Sequence, residues 1–270
     1  MRRKLYLIIS DGGGNTPLRG VHIDKDNFLN FFKSPEGGAW RDDEILVFEN
    51  NNFDLDIPRI IDLNARVDKK PIDFYLIVYC GHGFTDQHKQ INFEVQPDKY
   101  LKLNDLLGAV AKSRCLVIAD SCRAIYYLQE GGRIADLRMF STSEDARNSV
   151  YADLCRRMYN DLIEKTPSTM QVVYFSNSYG ETADENSRDG GVYSHELLAA
   201  AKRQIIEFGA LQQHNCNSYY ATIDEIHAEA AGMVVKKTSD RQHPEIHLNC
   251  RSKARLPFVV VPHWQLQLED

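Results

Sequence analysis

Two side chains able to do covalent chemistry close two apolar runs. "LIVYCGHGF", residues 76–84, holds His82 between two glycines, and "CLVIADSC", residues 115–122, ends on Cys122. A thiolate attacks a carbonyl carbon, and a nearby imidazole manages the proton and donates one to the leaving amine, which together suffice for acyl transfer. Glycines beside the histidine let main chain approach a substrate closely. The N–H groups of Gly83 and Cys122 are then candidate donors to an oxyanion. His82 has two other readings: a metal ligand beside Cys80, or a buried core imidazole. Either residue alone reads as structural; the matched pair favours chemistry.

The elements that must position the pair are legible as alternating strand and helix patterns. Strands are predicted at 4–10 ("KLYLIIS"), 43–50, 72–80, 115–122, 171–178 and 256–262. Helical spacing is predicted at 21–34, 56–70, 103–114 with Asn104 as N-cap, 143–165, 191–208 and 222–237. Strands separated by helices of this length indicate parallel βαβ units. The expected fold is α/β, a three-layer helix–sheet–helix sandwich on a mostly parallel sheet of about six strands. One domain is expected over residues 1–270, with no internal repeat and no linker. A polar stretch follows His82, and residues 123–143, which include "EGGR", read as a long mobile or processed loop. Only the 103–114 helix separates the His82 and Cys122 strands, so a right-handed crossover makes them neighbours. Neighbouring strands lie about 4.8 Å apart, and functional groups collect at the carboxyl edge of parallel sheets.

Composition narrows the class. The 270 residues are 43% hydrophobic and 26% charged, with net charge −6, which speaks against nucleic-acid or membrane-surface partners. The start "MRRKLYLIISDGGG" is basic, but "LYLII" is too short for a secretory apolar region. No run approaches the roughly 18 apolar residues of a membrane span. Six cysteines, several in apolar runs, read as reduced thiols, and the expected location is cytoplasmic. The "DGGGNTP" turn invites a nucleotide reading, but Pro17 stands where a dinucleotide fingerprint needs glycine, and no Gly-Lys-Ser/Thr follows. His243, His247 and Cys250, with His214 and Cys216, are zinc-binding types in no standard spacing, and Pro244 breaks a helix that would align the histidines. No metal or cofactor is expected.

Four segments in order then resemble the caspase-like cysteine peptidases, most of all metacaspases and their bacterial relatives. "LRGVHID" is similar to the family's Leu-x-Gly-x-x-x-Asp, "YCGHGF" to its Ser-Gly-His-Gly, with Cys80 for serine, and "IADSCRA" to its Asp-x-Cys. "FSNSYGETADEN…GGVYSHELL" is similar to the stretch around its fifth strand and the turn into the next helix. The resemblance implies an endopeptidase with His82 and Cys122 as dyad and Cys122 as nucleophile, which removes Cys80 as partner. It also implies cleavage after Arg or Lys: Asp120 stands where Asp-directed caspases carry glutamine, and an acid there attracts a basic substrate side chain. Glu181, Asp184 and Glu185 offer a second acidic wall of the substrate-binding pocket. Arg19 is not in register with the caspase pocket arginine, and "RA" after the nucleophile departs from the metacaspase His-Ser-Gly. If the enzyme cuts after Arg, self-cleavage at Arg133 or Arg138 is expected. The resemblance implies a polypeptide substrate; with no recruitment or sensor segment legible in the sequence, a protein activator or upstream protease is expected, and by analogy a part in bacterial stress, death or antiviral signalling. A catalytically idle scaffold, a caspase-like protease of acidic preference, and a nucleotide binder using the glycine turn remain alternatives.

Overall fold

The computed structural model describes residues 1–12, 17–49, 58–61, 71–97, 99–124, 148–186, 188–213, 217–248 and 255–263. Its centre is a six-stranded sheet. In chain order the strands are β1 (Arg3–Ser10), β2 (Ile45–Glu49), β3 (Phe74–Gly81), β7 (Arg114–Asp120), β8 (Gln171–Phe175) and β12 (Glu245–Leu248). They lie in the spatial order β12-β8-β7-β3-β1-β2. All pairings are parallel except that of β12 with β8; β9 (Glu185–Asn186) and β10 (Gly190–Gly191) pair antiparallel apart from this sheet.

Alternation along the strands builds the three layers, because successive side chains leave opposite faces. On β3, Phe74, Leu76, Val78 and Cys80 enter one core, while Tyr75, Ile77 and Tyr79 enter the other. The first core packs against α1 (Gly20–Lys33), α4 (Asn148–Glu164), α5 (Val192–Gln212) and α6 (Ile223–Lys237). The second packs against α2 (residues 58–61) and α3 (Leu103–Ala109). Every residue of β3 is buried, as a strand covered on both faces requires. Of the helix predicted at 56–70, the described part is 58–61, and it is helical. Most of the loop predicted at 123–143, with Arg133 and Arg138, lies outside the described residues.

Three expectations change. The apolar run at 256–262 does form a strand, β13 (Pro257–Val261), but it pairs antiparallel with β11 (Tyr219–Thr222) outside the main sheet. Phe258 packs there on Phe31 and Phe32 of α1, at ring distances of 4.9 and 5.8 Å. A fully apolar run suits a helix-covered site as well as a sheet centre, so pattern alone does not choose between them. The sixth sheet position goes instead to β12. The stretch after His82 is a meander, β4 (Gly83–Thr85), β5 (Ile91–Gln96) and β6 (Lys99–Lys102), pinned by the stacking of Phe93 on Tyr79 at 4.3 Å. Asn104 is no N-cap: Lys102 takes that position, and the Asn104 amide donates to Gln90 Oε1 at 2.7 Å.

Candidate active site

The pairing of β3 with β7 sets Cys80 level with Asp120. Two residues further on, past the last paired row, the chain reaches His82 on one strand and Cys122 on the other. Both line one narrow pocket of about 90 Å³, together with Asp24, Asp120, Asp184 and Glu185. Four segments converge there: the start of α1, the ends of β3 and β7, and the chain after β8.

His82 is held from two sides. Its carbonyl accepts hydrogen bonds from the Tyr79 hydroxyl at 2.5 Å and from the Glu94 amide at 2.9 Å, so the meander fixes its main chain. Its ring lies against Gly12, whose φ is +77°; a Cβ there would stand 2.2 Å from His82 Cδ2. The glycine turn thus serves the histidine by leaving room for its ring. Replacing Gly12 by alanine should displace the imidazole, and if His82 takes part in catalysis kcat falls by about 10–100-fold, the cost of a shift of about 1 Å in such a group. The left-handed conformation adds a stability loss of about 1–2 kcal/mol. Steady-state kinetics beside a thermal melt checks both, and an alanine variant with normal kcat would remove the ring contact from consideration.

Gly83 packs against the main chain of Ser121 and Cys122: a Cβ on it would lie 2.8 Å from Ser121 Oγ and 2.9 Å from the Cys122 carbonyl. Cys122 Sγ accepts the Ala183 N–H at 3.3 Å and faces the Ala183 carbonyl at 3.9 Å. Burial pushes its thiol up; the Ala183 N–H opposes this, and the charges of Asp120, Asp184 and Glu185 add to it. Cys80 is fully buried, its thiol pushed far up first by burial and then by Asp24 and Asp120.

The acids divide into two sets. Asp120 accepts from the Ser194 amide at 3.0 Å and hydroxyl at 2.7 Å. Asp24 accepts from the Gly191 amide at 3.0 Å. Burial raises both carboxyls, Asp24 more, with Asp120 adding to it. Glu185 is pushed up to about 7 by burial of its carboxylate and by Asp120. Among the described residues no cation pairs with Asp24, Asp120 or Glu185. Asp184 lines the pocket too, but its carboxylate takes a bidentate contact from Arg241 at 2.6 and 3.2 Å. Glu181 stands apart from the pocket lining, bound to the amides of Ser178 and His243 and to the His243 ring. A second buried pair, Tyr193 with His227 at 2.8 Å, lies behind the acids, and burial lowers His227 to about 4.

Asp24 is the pocket residue that sequence reasoning named only as part of a motif. Its signal was there: a carboxylate on the apolar stripe Val21, Asp24, Phe28, Phe32 of α1 needs a buried partner or a ligand. Asp24 meets that need through Gly191, a contact set by tertiary packing. Of the histidines weighed as zinc ligands, His243 binds Glu181 and Asp240, and His247 stands edge-on to Phe175 at 4.9 Å. His214, Cys216 and Cys250 lie outside the described residues. Among the described residues no group of three or more His, Cys, Asp or Glu is arranged to hold a metal ion, and no helix is long and apolar enough to cross a membrane.

Comparison with known proteins bears on this arrangement in two ways. A family model described as "Caspase domain" matches residues 3–255. The structure is similar to that of caspase-1 from Spodoptera frugiperda, with a TM-score of 0.55, 14% identity, and coverage of 91% of this chain and 86% of that one. At that identity the likeness speaks for the fold. A search of curated protein sequences returns no significant match.

Proposed function

The chain belongs to the caspase-domain peptidase family, and from that premise we propose that it is a cysteine endopeptidase cutting after Arg or Lys with a His82–Cys122 dyad. The observation that carries the specificity is the set Asp24, Asp120 and Glu185. Three carboxylates converge beside the nucleophile with no cation among the described residues to pair them. Asp24 and Asp120 are buried and Glu185 stands at the exposed side; buried acids are stabilised by a cationic partner, and a substrate guanidinium or ammonium supplies one.

The reaction follows from the placement. Cys122 starts as a thiol, so His82 takes its proton as the sulfur attacks the scissile carbonyl. Negative charge gathers on the carbonyl oxygen, and the N–H groups of Gly83 and Cys122 are the donors we assign to it. His82 then returns the proton to the leaving amine, and the C–N bond breaks to leave a thioester. Water, deprotonated by His82, hydrolyses the thioester and frees the thiol. The activity fits regulated proteolysis in a cytoplasmic setting, switched by a protein activator or an upstream protease; bacterial stress, death or antiviral signalling is the analogy behind that placement.

A panel of fluorogenic peptides differing only in a terminal Arg, Lys or Asp tests the reading. We expect kcat/KM for Arg or Lys to exceed that for Asp by about 100-fold or more, the range of a desolvated charge pair. Turnover confined to the Asp peptide would overturn the acidic-pocket argument.

A further inference from the structure

We propose that Gln242 is a positioning residue for Cys122, acting through the peptide plane that joins Ala183 to Asp184. This rests on Cys122 being the nucleophile. The chain from Ser176 to Asp184, which leaves β8 and returns to the pocket, forms no strand beyond β8, though Gly180 and Glu181 exchange main-chain hydrogen bonds with Arg123 on one side. It is held by a short strap between α6 and β12, entered through Ser239 and Asp240, both at positive φ (52° and 65°). Three successive strap side chains grip it. Arg241 takes Asp184. Gln242 donates to the Ser176 carbonyl at 2.8 Å and accepts from the Asp184 amide at 2.9 Å. His243 takes Glu181, at 2.7 Å from its ring.

Gln242 is the central one. It is fully buried, and its amide bridges the two ends of the loop. A trans peptide points its C=O and N–H in opposite directions. The plane whose N–H is fixed by Gln242 therefore presents its carbonyl, that of Ala183, toward Cys122 Sγ on the other side. The preceding N–H, of Ala183, is the one that bonds the sulfur at 3.3 Å. Of the contacts on this sulfur, that N–H is the one that favours the thiolate. Loosening the Gln242 bridge frees the loop to withdraw it.

The test compares Gln242→Met, of similar volume but without the amide, with Arg241→Ala, which cuts a surface grip on the same loop. The readout is the pH profile of iodoacetamide alkylation at Cys122, followed by mass spectrometry of the Cys122 peptide, beside kcat and KM on an Arg peptide. Gln242→Met should move the alkylation midpoint upward by roughly one pH unit and lower kcat about tenfold with a smaller change in KM. Arg241→Ala should shift the midpoint the same way by less. A folded Gln242→Met with the wild-type profile and kcat overturns the proposal. If Gln242→Met does not fold, an unmoved profile in Arg241→Ala overturns it. Failure of the dyad is separate: a Cys122→Ala protein that still cleaves peptides would show it without any alkylation measurement.

Discussion

Cys122→Ala protein is expected to show no detectable peptide turnover, and His82→Ala to lose about 10³-fold or more in kcat with KM little changed. The two losses differ in kind. Without Cys122 no thioester forms, so no covalent route exists. Without His82 the thiol is still present, but its proton has no acceptor during attack and the leaving amine no donor. Iodoacetamide should therefore still label Cys122 in His82→Ala, while Cys122→Ala has no thiol at that position to label. Neither change should unfold the chain. Both side chains follow the strand ends, and the core rows Val78 and Ile118 below them remain fully buried. Combining the two should cost no more than Cys122→Ala alone, as expected for groups acting as one unit. Wild-type turnover in a folded Cys122→Ala protein would end the proposed chemistry.

The second large effect concerns the acids. Asp24→Asn and Asp120→Asn should each lower kcat/KM on Arg peptides by about 10²–10³-fold, equivalent to about 3–4 kcal/mol for removing one partner of a desolvated charge pair. Asparagine preserves volume and keeps an oxygen for the Gly191 or Ser194 amide, so the fold should survive and the loss report charge. Glu185, at the more exposed side of the pocket, should matter less. The pH dependence has a definite sign. Glu185 goes from an ordinary value of 4.5 to about 7 in the folded chain, so the folded state binds more protons than the unfolded state in that window. The stability it contributes is full below about 4.5 and is lost as pH rises through about 7. Binding of a cationic side chain runs the other way, because it needs the carboxylates charged. The free protein should thus melt at lower temperature as pH rises from 5 to 8, while kcat/KM on Arg peptides rises. Glu185→Gln should flatten both trends, and a kcat/KM that falls with pH over this range would contradict the assignment.

How much of this could be read from the chain follows from how local each signal is. The sheet frame and the meeting of His82 with Cys122 in one pocket were legible because each strand carries its own apolar run, and a strand's end is marked by where that run stops, at "CGHG" and "DSC". Alternation on β3 even divides its residues correctly between two cores. The meander was missed because its strands are three to six residues long and interleaved with polar residues. The place of β13 was missed because burial among helices and burial in a sheet ask for the same side chains. The pocket was half legible. Asp120 announces itself two residues before Cys122, but Glu181, Asp184 and Glu185 stand within five positions of one another, and nothing local says which faces inward. Tertiary partners decide it: His243 takes Glu181 away from the pocket, and of the two that line it Asp184 is paired with Arg241 while Glu185 has no cation among the described residues.

The company kept by Cys122 also governs how it meets small electrophiles. Burial, and after it Asp120, Asp184 and Glu185, disfavour its anion, and because peroxide and other oxidants need the thiolate, slow oxidation of the free protein is the expected result. A substrate's positive charge seated among those carboxylates cancels much of their field at the sulfur. On the proposed assignment, the molecule to be cut also supplies the charge that favours the attacking thiolate, and the free protein is expected to resist oxidation at Cys122.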